Sequence, residues 1–144
     1  MLHAGEALLK EMIANVESIE EECCGFLFGH ETLEGRTLMK TMAAENVTQG
    51  DKHRCFEIAP KDYLYAENFA EQNNLHLLGI YHSHPNQPAV PSEHDRLAAQ
   101  PYFSYIIISV FNNTLAATRS WRLNDNLQFV EEKINAHKLH KSLT

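Results

Sequence analysis

An apolar run from Leu75 to Tyr81, interrupted only by His76 and Gly79, leads directly into His82-Ser83-His84-Pro85. A short, nearly continuous apolar segment of this kind predicts a buried strand. Residues two apart on a strand share a face, at roughly 6.6 Å along the backbone. His82 and His84 therefore point the same way, where two imidazoles can hold one metal ion. Asp95 follows eleven residues later, after a turn rich in Pro, Asn and Gln, and a loop of that length can return a carboxylate to the same point. Two nitrogens and one carboxylate oxygen suit Zn²⁺, and three protein ligands leave a fourth tetrahedral position for water, as in catalytic sites. Ser92 to Asp95 also reads as a capping box, since Ser-x-x-acid opens many helices. Asp is a poorer partner there than Glu, which favours the ligand reading without removing the cap.

At 144 residues the chain fits one domain, 1–144, with a core of about 5–130 and a polar tail from Glu131 that is helical at best. The net charge of −7 argues against nucleic acid and anionic membrane surfaces as partners. No apolar run is long enough to span a bilayer, and Met1 to Lys10 lacks the layout of a secretory signal. Three cysteines, Cys23, Cys24 and Cys55, two of them adjacent, argue against a disulfide framework and for a reducing cytoplasm. Cys23 and Cys24 should face opposite sides of a strand, and Cys55 reads as core.

Residues 2–18 carry Leu8, Leu9, Met12, Ile13 and Val16 at helical spacing, which predicts an amphipathic helix. Strands are expected over 23–29, 36–47, 53–58, 104–111, 115–123 and 127–130, and helices over 61–72, behind Pro60, and 92–100. The sum is a mixed α/β chain with one layer of sheet and helices packed on it.

The pattern His82-Ser83-His84, then seven residues, Ser92, two residues and Asp95 resembles the JAMM motif of the MPN (JAB1/Mov34) metalloprotease superfamily. Glu22-Cys23-Cys24-Gly25-Phe26-Leu27 is similar to that family's first strand, where a catalytic glutamate precedes a glycine by three residues. Gly79-Ile80-Tyr81 and Ser104 to Val110 fit as well. The resemblance is to the compact prokaryotic forms. It implies a mainly antiparallel α/β sheet flanked by helices, of the cytidine-deaminase-like MPN/JAB type. It also implies a zinc metallopeptidase or isopeptidase acting after the C-terminal Gly-Gly of a ubiquitin-like or sulfur-carrier protein. His82, His84 and Asp95 would be the metal ligands, Glu22 the general base and Ser92 the donor to the oxyanion. The residues alone leave the base open among Glu20, Glu21 and Glu22; Glu22 abuts the buried strand, which fixes its direction. Ser83 alternates between the histidines, faces away and should brace the strand. Two other readings are a scaffold module of the same superfamily and a zinc hydrolase of a small amide.

Overall fold

A computed structural model describes residues 1–137. Eight strands, β1 (Leu2–Gly5), β2 (Cys24–Thr32), β3 (Gly35–Ala44), β4 (His76–Pro85), β5 (Ser104–Phe111), β6 (Thr114–Leu123), β7 (Phe129–Glu132) and β8 (Ile134–His137), form one sheet in the order β7-β6-β5-β4-β2-β3-β1-β8. Four pairings are antiparallel and three, β4–β5, β1–β3 and β1–β8, are parallel. Three helices complete the described residues: α1 (Glu6–Val16), α2 (Pro60–Gln72) and α3 (Glu93–Ala98). This is the mixed, mainly antiparallel α/β architecture expected.

Two apolar layers sandwich the sheet. On one face Met12 and Val16 of α1 pack with Leu27, Leu38, Tyr81, Ile106 and Ile108. On the other, Ala66 and Ala70 of α2 pack with Phe26, Phe28, Ile80 and Tyr105. Cys23 and Cys24 divide between the two layers, as strand alternation requires.

Alternation fails at one place in β4. Leu77 lies on the α2 face and Leu78 on the α1 face, yet Ile80 is back on the α2 face. The register against β2 shows why: Phe28 pairs with Leu77 and Leu27 with Gly79, so Leu78 is an extra residue. A bulge of this kind reverses the phase of the residues that follow. His82 and His84 consequently share the α2 face with Ile80. The carbonyl of Leu78 accepts a hydrogen bond from Nη1 of the buried Arg36 at 3.0 Å.

Three expectations need correction. Residues 2–5 are strand, not the first turn of the helix: Leu2 and Ala4 are fully buried and β1 pairs with both β3 and β8. Four residues are too few for period two to stand out from an adjoining helical pattern. Residues 53–58 form no ladder; the Asn46 side chain takes the Cys55 carbonyl and the Glu57 N–H, with one backbone bond from Val47 N to Glu57 O. Cys55 is accordingly half-buried in a loop rather than in the core. Finally, 131–132 and 134–137 belong to strands β7 and β8, not to a helix. Glu132 enters the sheet because Ser104 and Ser120 hydroxyls donate to it, each at 2.9 Å. The rest of the expected helical tail, 138–144, lies outside the described residues.

The bulge yields a stability prediction. A Cβ on Gly79 would sit 1.8 Å from the Ser104 carbonyl oxygen, which is backbone and cannot swing aside. Gly79→Ala should cost about 3 kcal/mol or more, at or above the usual overpacking range. Gly50→Ala, whose added carbon meets only Thr48 Oγ1 at 3.7 Å, should change stability by less than about 1 kcal/mol. Urea unfolding of the two variants measures the difference.

Candidate metal centre

The site forms where β4 ends and the chain crosses to its parallel neighbour β5 by way of α3, at the carboxyl end of the strand, a position where open α/β sheets commonly bind ligands. His82 and His84 are 1 % and 2 % exposed, and their ring centroids are 4.9 Å apart. Their Nε2 atoms face one another at 3.1 Å. Asp95 Oδ2 lies 3.2 Å from His84 Nε2 and 3.4 Å from His82 Nε2. Four tetrahedral ligands at zinc–ligand distances near 2.0 Å sit about 3.3 Å apart. The donor set and its spacing therefore fit zinc.

Each donor is aimed by its neighbours. His84 Nδ1 lies 2.9 Å from the Pro88 carbonyl, which selects the tautomer with Nε2 free to coordinate. His82 stacks on Phe56, ring centroids 4.5 Å apart, and its Nδ1 has no hydrogen-bond partner. Asp95 both caps and points. Ser92 Oγ accepts from Asp95 N at 3.0 Å and Asp95 Oδ2 accepts from Ser92 N at 2.9 Å, a reciprocal capping box. The cap and the ligand reading are thus compatible, because the same oxygen, Oδ2, serves both. Among the described residues the Ser92 hydroxyl donates to no group and stays free to donate.

The loop between β4 and α3 is tied down by polar contacts the sequence did not flag. Asn86, at φ 56°, donates its N–H to the Val110 carbonyl and accepts from Asn112 N. Ser109 Oγ donates to the Gln87 carbonyl, and Trp121 Nε1 to the Ala89 carbonyl at 3.0 Å.

Glu22 reaches the centre from the start of β2. Its side chain is buried at 2 % exposure, whereas Glu20 and Glu21 are exposed. Ser83 is the brace expected: Cys23 N donates to Ser83 Oγ at 2.8 Å, and Ser83 N donates to the Cys23 carbonyl at 2.9 Å. On the other side Glu22 N donates to the Lys52 carbonyl, and Asn46 Nδ2 donates to the Glu22 carbonyl at 3.1 Å. Asn46 also accepts from Thr48 N and Glu57 N, so one side chain folds the whole loop that carries Phe56. Asn46 escaped the sequence reading because an Asn opening a polar loop has many duller uses.

Donor atoms of Glu22, His82 and His84 also lie within 4.8 Å of one another, so two carboxylates adjoin the histidine pair. Their electrostatics separate them. Burial pushes Glu22 up to about 8, with the His84 charge pulling it down and Asp95 and Asp51 raising it further. One Glu22 oxygen, Oε1, is buried without a partner. Burial pushes Asp95 up too, but the charge of His82 and the hydrogen bonds from both histidines and Ser92 N outweigh it and hold the carboxyl well below its usual range. Burial lowers His82, against the pull of Asp95. For His84 burial is outweighed by Asp95, the Pro88 carbonyl and Glu22, and the net shift is upward. The centre therefore joins a firmly anionic Asp95 to a Glu22 that holds a proton near neutrality.

A sequence profile of prokaryotic homologues of the JAB domain matches residues 5–124. The chain is 31 % identical over 126 residues to a desampylase of Pyrococcus furiosus, covering 88 % of this chain and 84 % of that one. A solution structure from Desulfitobacterium hafniense superposes with a TM-score of 0.82 at 27 % identity, over 99 % of this chain and 97 % of the other. One from Salinibacter ruber superposes with a TM-score of 0.71 at 31 % identity, over 95 % and 92 %. A JAB1/MPN domain protein of Archaeoglobus fulgidus shares the fold, with a TM-score of 0.60 at 14 % identity over 93 % and 97 %. The match spans the strand that delivers Glu22, the His82–His84 strand and the Asp95 helix together, and on that ground the chain belongs to the prokaryotic JAB-domain family.

Proposed function

We propose that the chain is a zinc-dependent metallopeptidase or isopeptidase that hydrolyses the amide bond after the C-terminal Gly-Gly of a ubiquitin-like or sulfur-carrier protein. The observation that carries the reading is the convergence of Glu22 on the His82–His84–Asp95 cluster, with opposite charge preferences for its two carboxyl groups. The similarity to a desampylase supports the ubiquitin-like substrate. His82, His84 and Asp95 would hold the ion. Zinc there would supply a Lewis acid that activates water and polarises the scissile carbonyl, and its charge would bring Glu22 down from about 8 towards neutrality.

Glu22 then takes a proton from the attacking water and delivers it to the departing nitrogen. The water oxygen ends on the carbonyl carbon, the C–N bond breaks, and Glu22 is restored. A carboxyl tuned close to the working pH suits both transfers. Ser92, its oxygen already engaged by Asp95 N, directs its hydroxyl proton to the oxyanion. Three free thiols accord with a reducing compartment such as the cytoplasm.

Two predictions test this reading. Glu22→Gln should lower the hydrolysis of a cleavable carrier conjugate by about 10²-fold to 10⁴-fold while elemental analysis finds zinc still bound. His82→Ala should lose both metal and activity. Near-full activity in the glutamine variant would remove Glu22 from its role.

The second prediction concerns stability after metal removal by a chelator. Glu22 is raised from 4.5 to about 8 in the folded chain. Between those values the folded state keeps a proton that the unfolded state has released, so this group's contribution to stability falls as pH rises from 4.5 towards 8. The loss is on the order of a few kcal/mol. Glu22→Gln should flatten that slope, so the variant gains on the parent between pH 5 and 8 in urea titrations. A constant difference across that range would show that Glu22 is not held protonated.

A further inference from the structure

Strand β3 is covered on its outer edge for only part of its length. Its inner edge pairs with β2 from Gly35 to Ala44, but β1 reaches only Arg36, Thr37 and Leu38. Over residues 39–44 no backbone–backbone bond joins the outer edge to any other described element. A row of unpaired N–H and C=O groups is a template for another strand. The segment, Met-Lys-Thr-Met-Ala-Ala, has one charge and no proline, and Met39 is 53 % exposed. Its charge is also placed to suit a copy of itself. Met42 and Ala44 pack in the α2 layer, and the Lys40 ammonium lies 5.9 Å over the Phe69 ring of α2, so all three share that face. On the same face a hollow of about 460 Å³ opens at the end of the strand, lined by Phe26, Met42, Glu45, Asp62 and Tyr65. Among the described residues neither of its two carboxylates, nor Lys40, has an ion-pair partner.

We propose that residues 39–44 form a self-association edge, which pairs antiparallel with the same segment of a second copy of this chain about a two-fold axis at Met42. Residues directly opposite in an antiparallel ladder share a face. A two-fold axis normal to the sheet leaves each side chain on its own face, so the axis passes at a residue and not between two. A centre on Met42 sets Lys40 of one copy opposite Ala44 of the other, beside the Glu45 and Asp62 carboxylates, and symmetry does so twice. A centre on Thr41 would set Lys40 opposite Met42 and leave the acids without a partner. On the α1 face the Met42 centre brings Thr41 against Ala43, two small side chains that let the strands close. The pairing stays within the stretch between the end of the β1 ladder at Leu38 and the end of β3 at Ala44. Two eight-stranded sheets would become one, with the histidine strand β4 two strands in from the join on either side.

Sedimentation of the full chain over a concentration series should show a monomer–dimer equilibrium. Lys40→Glu sets like charges together twice per dimer and should raise the dimer Kd by about 10-fold or more. Adding Glu45→Lys to Lys40→Glu should tighten it again, which a mere loss of folding would not allow. Met42→Cys should give a disulfide-linked dimer on mild oxidation, beyond the level of the parent with its own three cysteines. Opposite Cα atoms in such a ladder lie about 4.5–5.5 Å apart, within disulfide reach. Lys40→Cys should not crosslink, because its counterpart lies about 13 Å along the strand. Hydrogen exchange locates the contact: amides of residues 39–44 should exchange more slowly as concentration rises. A monomer at every concentration, a Lys40→Glu dimer as tight as the parent's, or crosslinking at position 40 in place of 42 would overturn the proposal. So would protection of these amides in a monomer, which gives the edge to another segment of the same chain, or protection gained only on adding a carrier protein, which gives it to a substrate strand. No readout needs turnover, so failure here leaves the peptidase reading standing.

Discussion

Between Leu78 and Gly79 strand β4 changes phase, and the direction of both site histidines follows from that change. The bulge has two requirements. The extra residue leaves the Leu78 carbonyl out of the ladder, where a buried acceptor without a partner costs about 1–3 kcal/mol. Arg36 answers it, and its other donors go to Ser104 Oγ, the Tyr102 carbonyl and Glu31 at 2.6 Å. The second requirement is room, since β5 comes so close that only a residue lacking Cβ fits beside Ser104. A buried guanidinium is expensive unless fully paired. Here its partners lie on β2, β4, β5 and the turn before β5, so one side chain spans the strands whose relative placement fixes the centre.

The remaining half of the site is set by backbone bonds rather than by packing. Glu22 lies just outside β2, where a side chain would normally turn to water. The reciprocal pair between Cys23 and Ser83 fastens its neighbour to the strand that carries the histidines. Lys52 and Asn46 fasten its own peptide groups to the loop after β3. A carboxyl fixed this way cannot escape to solvent, and desolvation does the rest by favouring its neutral form. Asp95 is buried too, yet the charge of His82 and three nearby donors, both histidines and Ser92 N, hold it ionised. The difference in chemistry between the two acids comes from neighbouring charge and hydrogen bonds, not from depth.

What the sequence could reveal was whatever depends on local spacing. The shared direction of His82 and His84, the opposite facing of Ser83, the proline-led helix from Pro60 and the Asn112-Asn113 hairpin are consequences of period two, capping and turn chemistry, and the structure has each of them. Asn112 and Asn113 both have positive φ, as a tight hairpin of this type demands. The features that stayed hidden depend on distant partners. Arg36 reads as a surface residue of a polar strand until Leu78, Ser104 and Tyr102 are seen around it. Glu132 reads as part of a charged tail until two serines from other strands are placed against it. Asn46 and Trp121 act through loop carbonyls that no pattern announces. In β1 the burial comes from β3 and β8, thirty and more than a hundred residues away, so a four-residue segment borrowed the helical pattern beside it.

Asp95 shows why asking whether a residue is structural or functional can pose a false choice. The carboxylate closes the N-terminus of α3 through the Ser92 amide and at the same time faces both histidines with the same oxygen. Helix α3 has six residues and buries no apolar side chain of its own. Helices this short are not self-supporting in water, so the cap and the histidine contacts supply much of what keeps it formed. The dependence runs both ways. The helix aims Asp95, and whatever holds Asp95 to the histidines also holds the helix.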